Sequence, residues 1–238
     1  MLAASRNQAT RSTSRSIAGR GLASRRRASS ISAKARQAVA RDAEGSSGRT
    51  RRRVMSEPKR DPSRPTDHGA EILRTLTGMV LTVRPLEPGD ERVLESLFDN
   101  ITPSDIRFRF FSTVKHIDRN RLDAMIHPEG AGSASFIAFD ASGTPVATSL
   151  FVADTNGREG EIAVAVRSDV KRHGIGWLLL AYSLAYAKRS GFQKVRSVES
   201  RDNAATLNLE HEVGFSMHAH PDDPTLTIAT IDLPKWEG

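Results

Sequence analysis

The stretch from Glu161 to Ser190 constrains the fold more than any other part of the chain. Glu161 to Val166 reads E-I-A-V-A-V, a β-rich run. From Gly176 to about Ser190 the chain is helical in pattern and apolar almost all round, through Trp177, Leu178, Leu179, Leu180, Ala181, Leu184, Ala185 and Ala187. A helix of that kind has no face to offer water, so it is buried. Lys188 and Arg189 suit its negative C-terminus, and Gly191 suits the left-handed position just beyond it.

The surrounding pattern predicts an α+β domain. Met79–Arg84 reads as a strand stopped by Pro85. Asp90 is placed to cap a helix, and Val93, Leu94, Leu97 and Phe98 recur at helical spacing to about Asn100. Short helices are expected from Thr102 through Phe110 and from about Asp118 to Ile126. Ser133–Phe139, Val146–Ala153 and Glu161–Val166 read as three strands of an antiparallel meander, with turns at Ala141-Ser142-Gly143 and Asn156-Gly157. After the buried helix come a strand at Lys194–Ser200, a helix at Asn203–Glu212 ending at Gly214, and strands at Phe215–His220 and Thr225–Leu233. Residues 79–238 suit a single core.

The first part of the chain cannot join that core. Residues 1–53 hold thirteen Arg and one Lys against Asp42 and Glu44, a net +12 that leaves −5 for residues 54–238. Their only Leu, Ile, Val or Phe residues are Leu2, Ile17, Leu22, Ile31 and Val39. So little apolar surface does not offset chain entropy, and residues 1–69 are expected to be a disordered basic tail and linker. Four readings suit that composition. It is a solvated extension, an upstream translation of a protein starting at Met55, an Arg- and Ser-rich transit peptide, or a tail for nucleic-acid phosphates through Arg25–Arg27 and Arg51–Arg53. No secretory h-region and no 18-residue apolar window is present, so no membrane association and a cytoplasmic location are expected. The chain has no cysteine. That excludes disulfides, thiolate metal sites and a cysteine nucleophile.

Chemistry concentrates between the strand and the buried helix. Lys171, Arg172, His173, Gly174, Ile175, Gly176 and Trp177 form a basic loop with two glycines leading into a helix N-terminus. Helix-end N–H groups, the positive dipole end, and glycines that admit a ligand to the backbone make a phosphate or pyrophosphate cradle. The third glycine of G-x-G-x-x-G is absent, because Leu179 stands there, and no P-loop occurs. No metal site is expected. His218 and His220 share a strand face with no third ligand. Arg107 and Arg109 read as helix-surface arginines.

Lys171-Arg172-His173-Gly174-Ile175-Gly176 resembles the (Q/R/K)-x-x-G-x-(G/A) loop of the Gcn5-related N-acetyltransferase (GNAT) family. Asn203 followed by Gly214-Phe215 is similar to that family's N-x(10)-G-F segment, and Val83-Arg84-Pro85 with Asp90 to its opening. Thr102-Pro103-Ser104 with Arg107–Phe111 resembles the signature of the Pat-like protein lysine acetyltransferases. The resemblance covers about Leu81 to Leu233. It implies a mixed, mostly antiparallel sheet flanked by helices, with acetyl-CoA in the splay between Glu161–Val166 and Lys194–Ser200. By resemblance, backbone groups of Val164 and Val166 pair with the pantetheine arm. N–H groups from Arg172 to Trp177 hold the pyrophosphate, with Lys171 beside them, and Asn203 bonds the pantetheine or helps bind the acceptor.

The implied reaction is acetyl transfer to an amine, in the Pat-like case a protein lysine. A lysine amine with pKa ~10.4 is only about 0.1% free base at neutral pH, so a group must take its proton. Glu161 is the candidate base, with Glu159 the alternative. Without cysteine, direct attack in a ternary complex is expected rather than an acetyl-enzyme. Family members often carry a tyrosine where Glu210 stands, which leaves the proton donor to the departing thiolate unassigned. An acyl-CoA sensor without catalysis is the competing class.

Overall fold

The computed structural model describes residues 69–110 and 117–237. The expectations for residues 1–68 lie outside these, as does Phe111. Among the described residues, eight strands form one sheet, in the order β1-β2-β3-β4-β5-β6-β8-β7. They are β1 (Glu71–Arg74), β2 (Val80–Pro85), β3 (Ala134–Phe139), β4 (Pro145–Ala153), β5 (Glu159–Val166), β6 (Lys194–Ser200), β7 (Ser216–Ala219) and β8 (Leu226–Asp232). Every neighbouring pair is antiparallel except β5 and β6. The expected mixed, mostly antiparallel sheet is therefore present. Strand β1 was not anticipated. It is a short arm ahead of Met79, largely exposed, and it exists because it pairs with β2 from Glu71↔Val83 to Arg74↔Val80.

Among the described residues, five α-helices cover the sheet. Those on one face are α1 (Glu91–Phe98), α2 (Pro103–Phe110) and α3 (Arg119–Ile126). They bury Leu94, Leu97, Phe110, Leu122 and Met125 against Leu150, Val152 and Ala165 of the sheet. The other face carries α4 (Ile175–Arg189) and α5 (Ala204–Val213), which enclose Phe136, Phe151, Ile162 and Val195. Leu150 and Val152 face the first layer and Phe151 the second, as the period-2 pleat requires. Covered on both faces, β4 is buried from Val146 to Ala153, Thr148 and Ser149 included.

The buried character of α4 has a clear cause. Leu179, Leu184 and Ala187 are fully enclosed. Tyr182 and Tyr186 lie edge-on to Phe136 with ring centroids 5.1 and 5.2 Å away. Ser183 meets Ser149 at 2.8 Å in the buried layer, so the polar group between helix and sheet is satisfied. Gly160 fits because Phe151 lies across it: a Cβ there would stand 2.2 Å from the Phe151 ring.

One capping expectation needs correction. Helix α1 starts after Asp90 as predicted, but the Asp90 side chain caps nothing. Its carboxylate accepts from Arg84 Nη1 and Nη2 at 2.6 and 2.8 Å and from the Glu87 N–H at 2.8 Å. Arg84 holds the Asp90 carboxyl below its ordinary range. Among the described residues, no helix is long and apolar enough to cross a membrane.

Candidate active site

Strands β5 and β6 pair only from Glu159↔Lys194 to Glu161↔Arg196. Beyond Glu161 they have no ladder between them, although β5 stays paired to β4 as far as Val166. Along this gap lies a cavity of about 320 Å³, lined by β5 from Glu161 to Val166, by Val198 and Glu199 of β6, and by residues of α2, α4 and α5. It joins the two regions that the sequence had kept apart.

The first region is the N-terminus of α4. Arg172 has φ 67° and Gly174 φ 77°, so the loop passes twice through left-handed backbone before the helix begins. Arg172 is the sole non-glycine with positive φ among the described residues, and such a conformation is uncommon for a residue with a Cβ. No side chain caps α4, and its first N–H groups have no intrahelical acceptor. Gly174, Ile175, Gly176 and Trp177 line the cavity with Lys171 and Arg172.

Two predicted cradle residues have partners outside the loop. His173 is exposed and does not line the cavity. Its carbonyl accepts from Thr77 Oγ1 at 2.7 Å, so the β1–β2 turn braces the loop from behind. Lys171 Nζ lies 2.6 Å from Asp105 Oδ2 on α2. Burial alone would raise the Asp105 carboxyl. The bonds from Lys171, Thr102 and Ser168 outweigh burial and hold it below its ordinary range.

The second region is a cluster of charged side chains. Glu161 lines the cavity and pairs with Arg196 Nη2 at 3.0 Å, both side chains largely buried. Glu159, the alternative base, is exposed and outside the lining. Arg109 corrects the surface reading: Arg107 is exposed, but Arg109 lines the cavity, and its Nε and Nη2 are buried without a hydrogen-bond partner. Burial pushes its guanidinium down to about 10, against the pull of Glu199 and Glu161.

Asn203 lines the cavity and has a partner there. Its Nδ2 donates to Glu199 Oε2 at 3.0 Å, while Ser197 Oγ donates to Glu199 Oε1 at 3.1 Å. Burial pushes the Glu199 carboxyl up to about 7; the bonds from Ser197 and Asn203 and the charge of Arg109 oppose it, and Glu161 adds to it. Glu210 is 2% exposed and is pushed up to about 8 by burial and by the charge of Glu199. Arg109 and Glu199 carry no sequence signal of their own: Glu199 is one of five polar residues among the seven of Lys194–Ser200, and Arg109 reads like Arg107 two residues before it.

A splayed parallel pair, a glycine-bearing helix N-terminus and carboxylates beside the gap thus meet in one cavity. Residues 102–215 match the model of the Acetyltransferase (GNAT) family. The chain is 28% identical over 170 residues to Acetyltransferase PA5475 of Pseudomonas aeruginosa, covering 70% of this chain and 90% of that one. Its fold is shared with the GNAT domain of S. lividans PAT (TM-score 0.64, 17% identity, 70% of this chain and 98% of that one). It is shared too with a spermidine N-acetyltransferase from Vibrio cholerae solved with CoA and spermine (TM-score 0.55, 18% identity, 66% and 98%). Over residues 102–215 the chain is thus similar in sequence to the GNAT family, it shares that family's fold, and it is an acetyltransferase.

Proposed function

We propose that the protein transfers an acetyl group from acetyl-CoA to the side-chain amine of a protein lysine, by direct attack in a ternary complex. One observation carries the donor half: the gap beyond Glu161 is continuous with the uncapped N-terminus of α4. The residues fit such a ligand. The β5 edge from Ile162 to Val166 has no ladder to β6, so the backbone of Val164 and Val166 can take an extended amide-bearing arm. At Gly176 a Cβ would stand 3.4 Å from Leu209 Cδ1 and 3.6 Å from Val166 Cγ2, so a longer side chain would close the gap. The N–H groups from Arg172 through Trp177 suit a pyrophosphate. Lys171 and Asn203 line the cavity, and His173 lies in the same loop outside the lining.

Acetyl-CoA supplies an activated thioester carbonyl. The chain supplies position and a proton acceptor. In this reading Glu161 takes the amine's proton, directly or through water, with Arg196 holding the carboxylate in place. The Pat-like signature from Thr102 to Phe111 supports a protein lysine over a small amine. The catalytic unit covers residues 79–238, together with the β1 strand that precedes it.

The full chain tests the donor first. Acetyl-CoA at ~100 times its Kd should stabilise the protein by about 2.7 kcal/mol in a thermal melt. Absence of any shift would count against the reading. CoA release with a lysine-bearing protein, compared with spermidine, then tests the acceptor. Faster release with spermidine would move the reading to a small polyamine. A CoA-binding module without catalysis is the second reading, favoured by Glu210 at the position where tyrosine often stands. Binding without release on any amine would support it.

A further inference from the structure

We propose that Glu199 is the general acid of this site, protonating the sulfur that leaves as the amide forms. The proposal rests on acetyl-CoA being the donor. Three observations bear on it. Glu199 lines the cavity at the end of β6, where the strands have parted, and Glu161 lines the same cavity from β5. The two carboxyls thus flank one gap from different strands. Ser197 and Asn203 fix the Glu199 carboxyl at 3.1 and 3.0 Å, so its rotamer is set before any ligand arrives. Glu210 lies buried on α5, and its carboxyl and that of Glu199 act on each other electrostatically.

The environment separates the two cavity carboxyls. Glu161 has the guanidinium of Arg196 at 3.0 Å as its counter-charge. The groups facing Glu199 are Arg109 from α2, Glu161 from β5, Glu210 from α5, and the neutral Ser197 and Asn203. Arg109 favours its charged form, the two carboxyls oppose it, and burial decides the balance toward the protonated acid near neutrality. A carboxyl held against a guanidinium suits a proton acceptor, and a carboxyl kept from ionising by burial suits a proton donor.

The proton balance closes. The amine nitrogen attacks the thioester carbonyl, the C–N bond forms and the C–S bond breaks. The electron pair leaves on sulfur, which takes the proton of Glu199. The amine's proton passes to Glu161. A thiol of pKa ~8.5 holds that proton more tightly than a carboxyl titrating near 7, so the transfer runs downhill. Return of one proton from Glu161 to Glu199 through solvent resets the site.

The test is the single-turnover rate of acetyl transfer against pH, in the full chain, with a lysine peptide. The wild type should lose rate as pH rises through the Glu199 ionisation. Glu199→Gln should lower the rate about 10- to 100-fold at pH 6.5 and remove that descending limb, with acetyl-CoA affinity by calorimetry held within about 3-fold. Ser197→Ala removes a bond to the charged form and should move the limb to higher pH, a readout that survives if Glu199→Gln folds poorly. A Glu199→Gln protein with full rate and an intact limb would overturn the proposal and leave the donor reading standing. A limb unmoved by Ser197→Ala would also count against it. No transfer by the wild type would overturn both.

Discussion

The two ends of the cavity are built on opposite plans. The α4 end is backbone: left-handed residues, glycines and uncapped N–H groups from one contiguous stretch, Lys171 to Trp177. The other end is side chain: Arg109, Glu161 and Glu199, from three separate elements, with Glu210 of a fourth buried outside the lining. A backbone site tolerates substitution of its neighbours and fails when a Cβ intrudes. A side-chain site fails when one charge is removed, because the rest are left buried without compensation. The difference can be broken by mutation from either side.

The largest effect is expected at the charged end. Glu161→Gln should lower kcat by about 100-fold or more at pH 7.5, the usual range for loss of a general base. Acetyl-CoA affinity should hold within about 3-fold, since the backbone end is untouched. Steady-state kinetics with calorimetry checks both. Unchanged kcat would remove Glu161 from the role of base.

Glu210 should show in stability rather than rate. Its folded carboxyl titrates at about 8, raised from 4.5. The raised value means that its contribution to stability is complete below about 4.5 and is lost as pH climbs to about 8. Replacing it with the neutral Glu210→Gln removes that loss. The variant should match the wild type near pH 4.5 and exceed it by on the order of a few kcal/mol at pH 9. Chemical denaturation at the two pH values measures the difference. A constant gap would mean that the carboxyl does not carry it.

At the backbone end, Gly176→Leu should weaken acetyl-CoA binding by about 10-fold or more, roughly 1.4 kcal/mol. The side chain would extend from a Cβ already at contact distance from Leu209 and Val166. Calorimetry measures it. Unchanged affinity would place the donor away from this wall.

The same contrast decides what the sequence could disclose. The α4 end was legible because its chemistry is local. A strand, a G-x-G loop and an apolar helix announce a cradle without any long-range contact. The strands from Ala134 to Val166 were legible too, as β-rich runs bounded by turn residues. Strand β1 was not, because Glu71–Arg74 is mostly exposed and depends on β2 for its existence. At the charged end, Glu161 stood out only through family resemblance. Arg109 and Glu199 were hidden because their roles depend on how far β5 and β6 stay paired, and that ends at Glu161↔Arg196. Asp90 shows the same limit on a small scale. Its position marked the helix start correctly, yet its carboxylate serves Arg84 instead of the helix.

Lys171 sharpens the comparison because it belongs to both ends. By sequence it is a cradle cation, and in the fold its ammonium pairs with Asp105 on α2. If the cradle works through backbone, Lys171→Ala should cost acetyl-CoA affinity less than about 3-fold, well below Gly176→Leu. The ion pair is partly exposed, with Lys171 44% and Asp105 22% accessible, so its loss should destabilise the fold by no more than about 1 kcal/mol. Asp105→Asn separates the two roles. It frees the ammonium for phosphate while removing the same pair, so affinity should hold or rise slightly while stability falls as in Lys171→Ala. A large affinity loss in Lys171→Ala alone would mean that the ammonium leaves Asp105 when the ligand binds. The cradle would then be a side-chain site after all, and the division between the two ends would lie further along the cavity, between Gly176 and Glu199.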